Sequence, residues 1–419
     1  MSKAEDRRRP TAADSERDRA GAPDSLANLA DILLEFSRLG VTSFGGPIAH
    51  FGYFRERFVV RRGWLSEREF TDLVALCQFL PGPASSQTGF AVGVMRGGLA
   101  GGLVAWAGFT LPSVLLLLAF AQGAAFLTGT VATGILHGLK VVAVAVVAQA
   151  VWGMARSFCT DRLHATLAIA AVIVTIVPGG PAGQLLAIVL GAVVGLLAGA
   201  DSTGRAESDA PPAPVRVSPQ AGRVALALAA LLLAAAFVPW ASATASLFSA
   251  FYKAGALVFG GGHVILPLLE ESMVESGRVS ADAFLAGYGA AQAVPGPLFT
   301  FAAYLGAVDT LPPSGLAGAV IALAGIFLPG LLLVYGVLPF WSQLKERPTA
   351  RAALSGINAA VVGILLSALY HPVWTSAVKD ERDFALVCVS ILLLMVWRAP
   401  AWLVVLLTAL GGAGIALLR

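Results

Sequence analysis

The chain has 419 residues, 57% of them hydrophobic and only 13% charged, with 46 glycines and a mean hydropathy of +0.79. Soluble proteins carry about 25% charged residues; here the charges cluster at 1–24, 54–72, 201–223, 270–282, 345–351 and 379–383, and the stretches between reach bilayer-spanning length. A soluble enzyme or a nucleic-acid binder is thereby excluded: the net charge of +3 lies in loops, where it sets orientation, and Cys77, Cys159 and Cys388 have neither metal-ligand nor redox spacing.

In chain order, residues 1–25 lack an apolar core and read as a disordered cytoplasmic tail, not a signal peptide. Segment A (26–50) is partly amphipathic, with Asp31, Glu35 and Arg38. Segment B (70–95) is interrupted by Pro81-Gly82-Pro83. Segments C (98–121) and D (130–153) are long enough to span, whereas E (164–177) and F (182–199) are shorter and separated by Pro178-Gly179-Gly180-Pro181. A Pro- and Ser-rich stretch at 200–223 reads as a cytoplasmic linker. An additional apolar run at 224–240 precedes a second series, A′ (246–269), B′ (283–306), C′ (315–340), D′ (352–371), E′ (384–397) and F′ (400–418).

The two series match residue by residue. Phe44-Gly45-Gly46 answers Phe259-Gly260-Gly261, and each is followed by a histidine, His50 or His263. Gln78-x-x-Pro81-Gly82-Pro83 answers Gln292-x-x-Pro295-Gly296-Pro297. Pro112 in C answers Pro329 in C′, and Gly138 in D answers Gly356 in D′. The offsets drift only from 214 to 218 residues, which identifies an internal repeat spanning 26–199 and 241–419.

Loop charges orient the halves. The A–B loop holds Arg55, Arg57, Arg61 and Arg62, while A′–B′ holds Glu270, Glu271, Glu275 and Asp282 against Arg278. The C–D loop is uncharged, while C′–D′ holds Lys345, Arg347 and Arg351. Each loop type changes side between halves, as expected if 224–240 is a transmembrane helix that inverts the second half. The fold class expected is therefore an all-α polytopic membrane protein, with two homologous halves forming an inverted-topology repeat, a recurring architecture of secondary transporters. A cytoplasmic tail and a cytoplasmic A–B loop require segment A to enter and return as a hairpin near Gly45-Gly46, or to lie along the interface. Segment B, with its Pro-Gly-Pro, is expected to be re-entrant or discontinuous.

Broken helices at membrane depth leave backbone groups unpaired, which is tolerated only where protein buries them or a wet cavity receives them. Glycine permits the turn, proline enforces the break, and the half-helix N-termini left behind suit a small anion. The candidate translocation residues are accordingly Phe44, Gly45, Gly46, Gln78, Pro81, Gly82 and Pro83, with Phe259, Gly260, Gly261, Gly262, Gln292, Pro295, Gly296 and Pro297 in the second half. Ser85, Ser86 and Thr88 add hydroxyl donors. Lys140 and Lys253 lie within apolar runs where acids are nearly absent, so they are expected to face a cavity as uncompensated cations. His50, His263 and Glu270 are candidates for proton coupling. The sequence holds no P-loop lysine, no metal-ligand spacing and no nucleophile elbow, so neither enzyme chemistry nor a cofactor or metal is expected.

Phe44-Gly45-Gly46-Pro47, Trp64-Leu65-Ser66 and Gln78-x-x-Pro81-Gly82-Pro83 resemble the N-terminal half of the chromate ion transporter family. Lys253-x-Gly255-x-x-x-Phe259-Gly260-Gly261-Gly262, Pro267-x-x-Glu270 and Gln292-x-x-Pro295-Gly296-Pro297 resemble its C-terminal half, and the likeness covers about residues 28–418. The resemblance implies a long-chain, two-domain member in the bacterial inner membrane, exporting chromate from the cytoplasm, conferring chromate resistance and drawing on the proton-motive force. The partners expected are chromate, or sulfate in its place, the lipid bilayer and a second copy of the chain in a homodimer. Another tetrahedral oxyanion as substrate, or a scaffold or sensor without transport, are the competing readings.

Overall fold

The computed structural model describes residues 26–124, 129–177, 180–199, 216–259, 262–344 and 347–418. The tail, most of the linker, and Gly260 and Gly261 lie outside these residues. Among the described residues the secondary structure is helical.

Segment A forms two helices, α1 (Leu26–Thr42) and α2 (Gly46–Phe54), the second running on into a π-helical turn over Arg55–Arg61. The chain turns between them at Gly45 and Gly46, whose φ values of 102° and 78° are open to glycine. Past the turn it comes back along α1. Phe36 of α1 packs against Phe54 and Phe58, with ring centroids 5.9 and 4.8 Å apart. Arg57 pairs with Glu35, and Arg62 with Asp31. Segment A is thus a hairpin that leaves on the side it entered.

Segment B behaves alike. Helix α3 (Glu67–Phe79) starts with a capping box in which Ser66 and Glu69 satisfy each other's backbone amides. Pro81-Gly82-Pro83 ends it, and α4 (Ala84–Ala124) begins at once. A break at Gly97-Gly98 divides α4. At that break the Arg96 carbonyl accepts from Asn28 at the start of α1, and the Arg96 guanidinium lies over Trp64 just ahead of α3. Both ends of B therefore lie beside the open ends of A. The remainder of α4 leads to α5 (Thr130–Phe158), whose 29 residues extend about 43 Å against a hydrocarbon core of about 30 Å. Helices α6 (Arg162–Ile176) and α7 (Gly180–Ala198) complete the half, with Asp161 capping α6.

After α8 (Pro219–Ala236) the pattern repeats: α9 (Ala243–Leu257) and α10 (Ile265–Glu270), α11 (Ala281–Ala293) and α12 (Phe301–Val308), α13 (Gly315–Val337), α14 (Pro348–Ala368), α15 (Glu381–Ile391) and α16 (Ala401–Leu417). The cap residues repeat too, Ser280 answering Ser66 and Asp380 answering Asp161. Inversion shows at the two ends of α8. Arg216, ahead of α8, reaches the Arg96 carbonyl at the open end of the first half. The far end, Phe237 to Trp240, lines a cavity with Lys253 and Glu271 at the open end of the second. The two halves therefore open in opposite directions.

Each half also lends its last helices to the other. Helices α6 and α7 pack on α14, and α15 and α16 pack on α5. The contacts are glycine-lined: a Cβ on Gly138 of α5 would lie 2.4 Å from the Thr408 carbonyl of α16, and one on Gly356 of α14 would lie 2.0 Å from that of Gly191 in α7. Small residues spaced four apart, Gly134 with Gly138 and Gly191 with Gly195, let the backbones touch, which is how helices associate where lipid removes the hydrophobic drive.

Candidate functional site

Four hairpin tips meet inside the molecule. The amide of Gly82, at the tip of B, donates to the Val258 carbonyl at the tip of A′ over 2.8 Å. The amide of Gly296, at the tip of B′, donates to the Ser43 carbonyl at the tip of A, also over 2.8 Å. These are repeat-related bonds, so each Pro-Gly-Pro clasps the Phe-Gly-Gly turn of the opposite half. Gly82 and Gly296 hold φ values of 124° and 97°, a left-handed backbone that a side chain resists. Space is closed as well: a Cβ on Gly82 would meet the Gly330 Cα at 3.1 Å, and one on Gly296 would meet the Ser113 Oγ at 2.9 Å. Gly330 and Ser113 follow Pro329 and Pro112, so each tip also rests on the proline-bearing long helix of the other half.

The polar groups around this crossing are under-used. Ser43 Oγ, Ser86 Oγ, Gln87 Oε1, Thr110 Oγ1 and Gln292 Nε2 are buried and find no hydrogen-bond partner. More than nine in ten buried polar groups are bonded in ordinary interiors, so five such atoms beside four chain breaks make this a candidate place for water or ligand. Ser86 and Gln87 are 1% and 0% exposed and sit in the first turn of α4, where backbone amides lack helical acceptors. Gln87 Nε2 bridges the two halves, donating to the Pro81 carbonyl at 2.9 Å and the Gly330 carbonyl at 3.1 Å. Sequence reasoning passed over Gln87 because Phe301 takes its repeat position; a lone amide one turn beyond a Pro-Gly-Pro was the available signal.

The sequence-expected residues are only partly gathered here. Phe44, Gly45, Gly46, Pro81, Gly82, Pro83, Pro295, Gly296 and Pro297 belong to the crossing by their place on the tips, with Phe44 leaning on Trp402 of α16 at 6.5 Å. Gly262 is buried against Leu298 and Phe299, while Phe259 is half-buried and Gly260 and Gly261 lie outside the described residues. The two glutamines part company: Gln78 is exposed, and Gln292 is half-buried with its amide nitrogen unpartnered. The histidines are not equivalent either. His50 lies against Phe109 with centroids 5.3 Å apart, whereas His263 Nδ1 is 2.8 Å from the Tyr288 hydroxyl. They stand six and four residues after their phenylalanines, so the repeat does not superpose them.

Of the lysines, Lys140 is the one corrected: it faces a cavity but is not uncompensated, its Nζ lying 2.8 Å from Asp282 Oδ1, 142 residues away, in a cavity of about 490 Å3 that also receives His137 and Tyr304. His137 Nε2 is 2.8 Å from the buried Asp383. Lys253 lies over the Phe237 ring, 5.7 Å from its centroid, in a separate cavity of about 460 Å3. Glu270 is buried, and its neighbour Glu271 is the carboxylate that lines the Lys253 cavity. Both lysines lie toward the face that carries the acidic A′–B′ loop. Chemically, the crossing offers dipoles and hydroxyls without a net charge, and the cations wait at one end of it.

The family model described as "Chromate transporter" matches residues 30–196 and again 245–413, and the chain belongs to this family. It is 27% identical over 415 residues to a chromate transport protein of Pseudomonas aeruginosa, covering 91% of each chain. A chromate transport protein of Cupriavidus metallidurans is 26% identical over 369 residues, with 87% of this chain and 88% of that one covered. An uncharacterized transporter of Methanocaldococcus jannaschii is 25% identical over 344 residues, covering 80% and 82%. No solved structure matches. The double match coincides with the two halves, and the family together with the apolar helices makes this a multi-pass bacterial membrane protein.

Proposed function

We propose that this member of the chromate transporter family exports chromate from the cytoplasm, across the inner membrane, through the crossing of its hairpin tips. The observation that supports it best is the pair of reciprocal bonds, Gly82 to Val258 and Gly296 to Ser43, surrounded by unpartnered buried hydroxyls and amides. A tetrahedral oxyanion is a ligand whose acceptors the hydroxyls of Ser43, Ser86 and Thr110 and the Gln292 amide nitrogen satisfy without a formal countercharge, as helix N-termini do for phosphate and sulfate. The crossing sits where the two halves meet, and a relative movement of the packed helices around it opens it to one face and then the other.

The arginine-rich face, with Arg55, Arg61 and Arg62, is assigned to the cytoplasm, together with the N-terminus. On that assignment the membrane potential drives the export of a dianion: about 2.3 kcal/mol per charge per 100 mV gives about 4.6 kcal/mol for chromate. The proton-motive force thus supplies the energy through its electrical part, and resistance follows from the lowered cytoplasmic concentration.

The test is chromate accumulation in cells with and without the protein. Lower accumulation that an uncoupler abolishes is the expected result, and competition by sulfate measures how far the site accepts another tetrahedral dianion. Unchanged accumulation would favour a non-transporting scaffold, and raised accumulation would reverse the direction.

A further inference from the structure

We infer that the cavity around Lys253 is a second oxyanion site, and that Glu271 competes with the bound anion for the lysine. The inference rests on the transport reading above and carries it to residues outside the hairpin tips.

The cavity is covered by Phe237 to Trp240 at the end of α8 and walled by α9 and Glu271-Ser272. Ser246, Ser249 and Lys253 follow at positions i, i+3 and i+7 of α9, so one helix face presents two hydroxyls and an ammonium to the same space. Lys140 is held by Asp282; Lys253 makes no ion pair among the described residues and rests on the Phe237 ring. Its ammonium is bonded to no described carboxylate and so stays within reach of an incoming anion.

Glu271 faces that charge across the cavity. Gln184 of α7 donates to Glu271 Oε2 at 3.3 Å and so fixes the carboxylate. The charged groups acting on Glu271 are Lys253 from α9, and Glu270 and Glu275 from its own segment. The turn after α8 and the α7 contact bring no titratable side chain to it. With Glu271 ionised, the lysine is already neutralised and an oxyanion is held weakly. With Glu271 protonated, the site carries one net positive charge beside two hydroxyl donors, and a tetrahedral dianion is held well. Anion and proton therefore bind together, and affinity rises as pH falls through the Glu271 titration.

Chromate binding to the purified full-length protein, by equilibrium dialysis at about pH 7.5 and about pH 9, tests this, since chromate stays a dianion between them. Two anions per chain are expected for the wild type. Lys253→Gln should lose one, and Lys253→Arg should keep it. Glu271→Gln should bind about tenfold more tightly than wild type at about pH 9, with the pH dependence flattened. A Lys253→Gln protein that melts as wild type does and still binds two anions overturns the inference, as does an unchanged pH profile in Glu271→Gln. Absence of any chromate binding by the wild type would instead remove the transport reading itself.

Discussion

The guanidinium of Arg96 lies 5.3 Å from the centroid of the Trp64 ring, and the same joint in the second half is made by different chemistry. Arg278 occupies the repeat position of Trp64, and Asp309 that of Met95. Arg278 donates to Asp309 from both Nε and Nη2, at 2.9 and 2.5 Å. Each pair ties the loop before a Pro-Gly-Pro hairpin to the end of that hairpin.

The two joints should fail differently. Asp309 is fully buried and Arg278 is 10% exposed, so Arg278→Ala strands a buried carboxylate and should cost about 3–5 kcal/mol. Arg96→Ala removes a cation–π contact and should cost about 1 kcal/mol. Thermal unfolding in detergent checks the order, and equal losses would contradict it.

Gly82→Ala and Gly296→Ala should each abolish chromate resistance while the protein still inserts. Holding a left-handed φ with a side chain costs about 1–2 kcal/mol, and the new methyl meets Gly330 or Ser113 at the crossing. Resistance assays paired with membrane immunoblots decide it; normal resistance in both variants would remove the crossing as the pathway.

Lys140→Gln should lower transport at limiting chromate several-fold and leave stability almost unchanged. Asp282 is 74% exposed, so the pair is worth only about 0.2–1 kcal/mol. Asp282→Asn, which frees the lysine, should preserve transport or raise it. Initial rates in everted vesicles distinguish these outcomes from a purely structural pair, for which both variants would lose equally.

Single cysteines at Glu56 and Glu275, in a background with Cys77, Cys159 and Cys388 replaced by serine, should label from opposite sides of the membrane. Impermeant maleimide on intact cells is the measurement. Labelling of both from outside would contradict the assigned inversion.

Much of this architecture was legible in the sequence, for a physical reason. Gly45-Gly46 and Pro81-Gly82-Pro83 break the helical ladder wherever they occur, and the arginines after them fix the side on which the chain returns. The hairpins therefore followed from residues a few positions apart. Lys140 and Asp282 did not, because their meeting depends on how two distant halves interlock. Helices α6, α7 and α16 are apolar over most of their surface, with few polar residues, so no stripe announces which neighbour each will choose. Gln87 stayed hidden because it has no repeat mate and, unlike Lys140, carries no charge to stand out in an apolar run.

The exchange of terminal helices has a consequence for movement. Since α6 and α7 are seated on α14, and α15 and α16 on α5, neither stretch of sequence is a body that can rock by itself. A hinge sought at the junction of the duplicated sequences would be misplaced, and either stretch produced alone would expose a glycine-lined seam that only its counterpart can close.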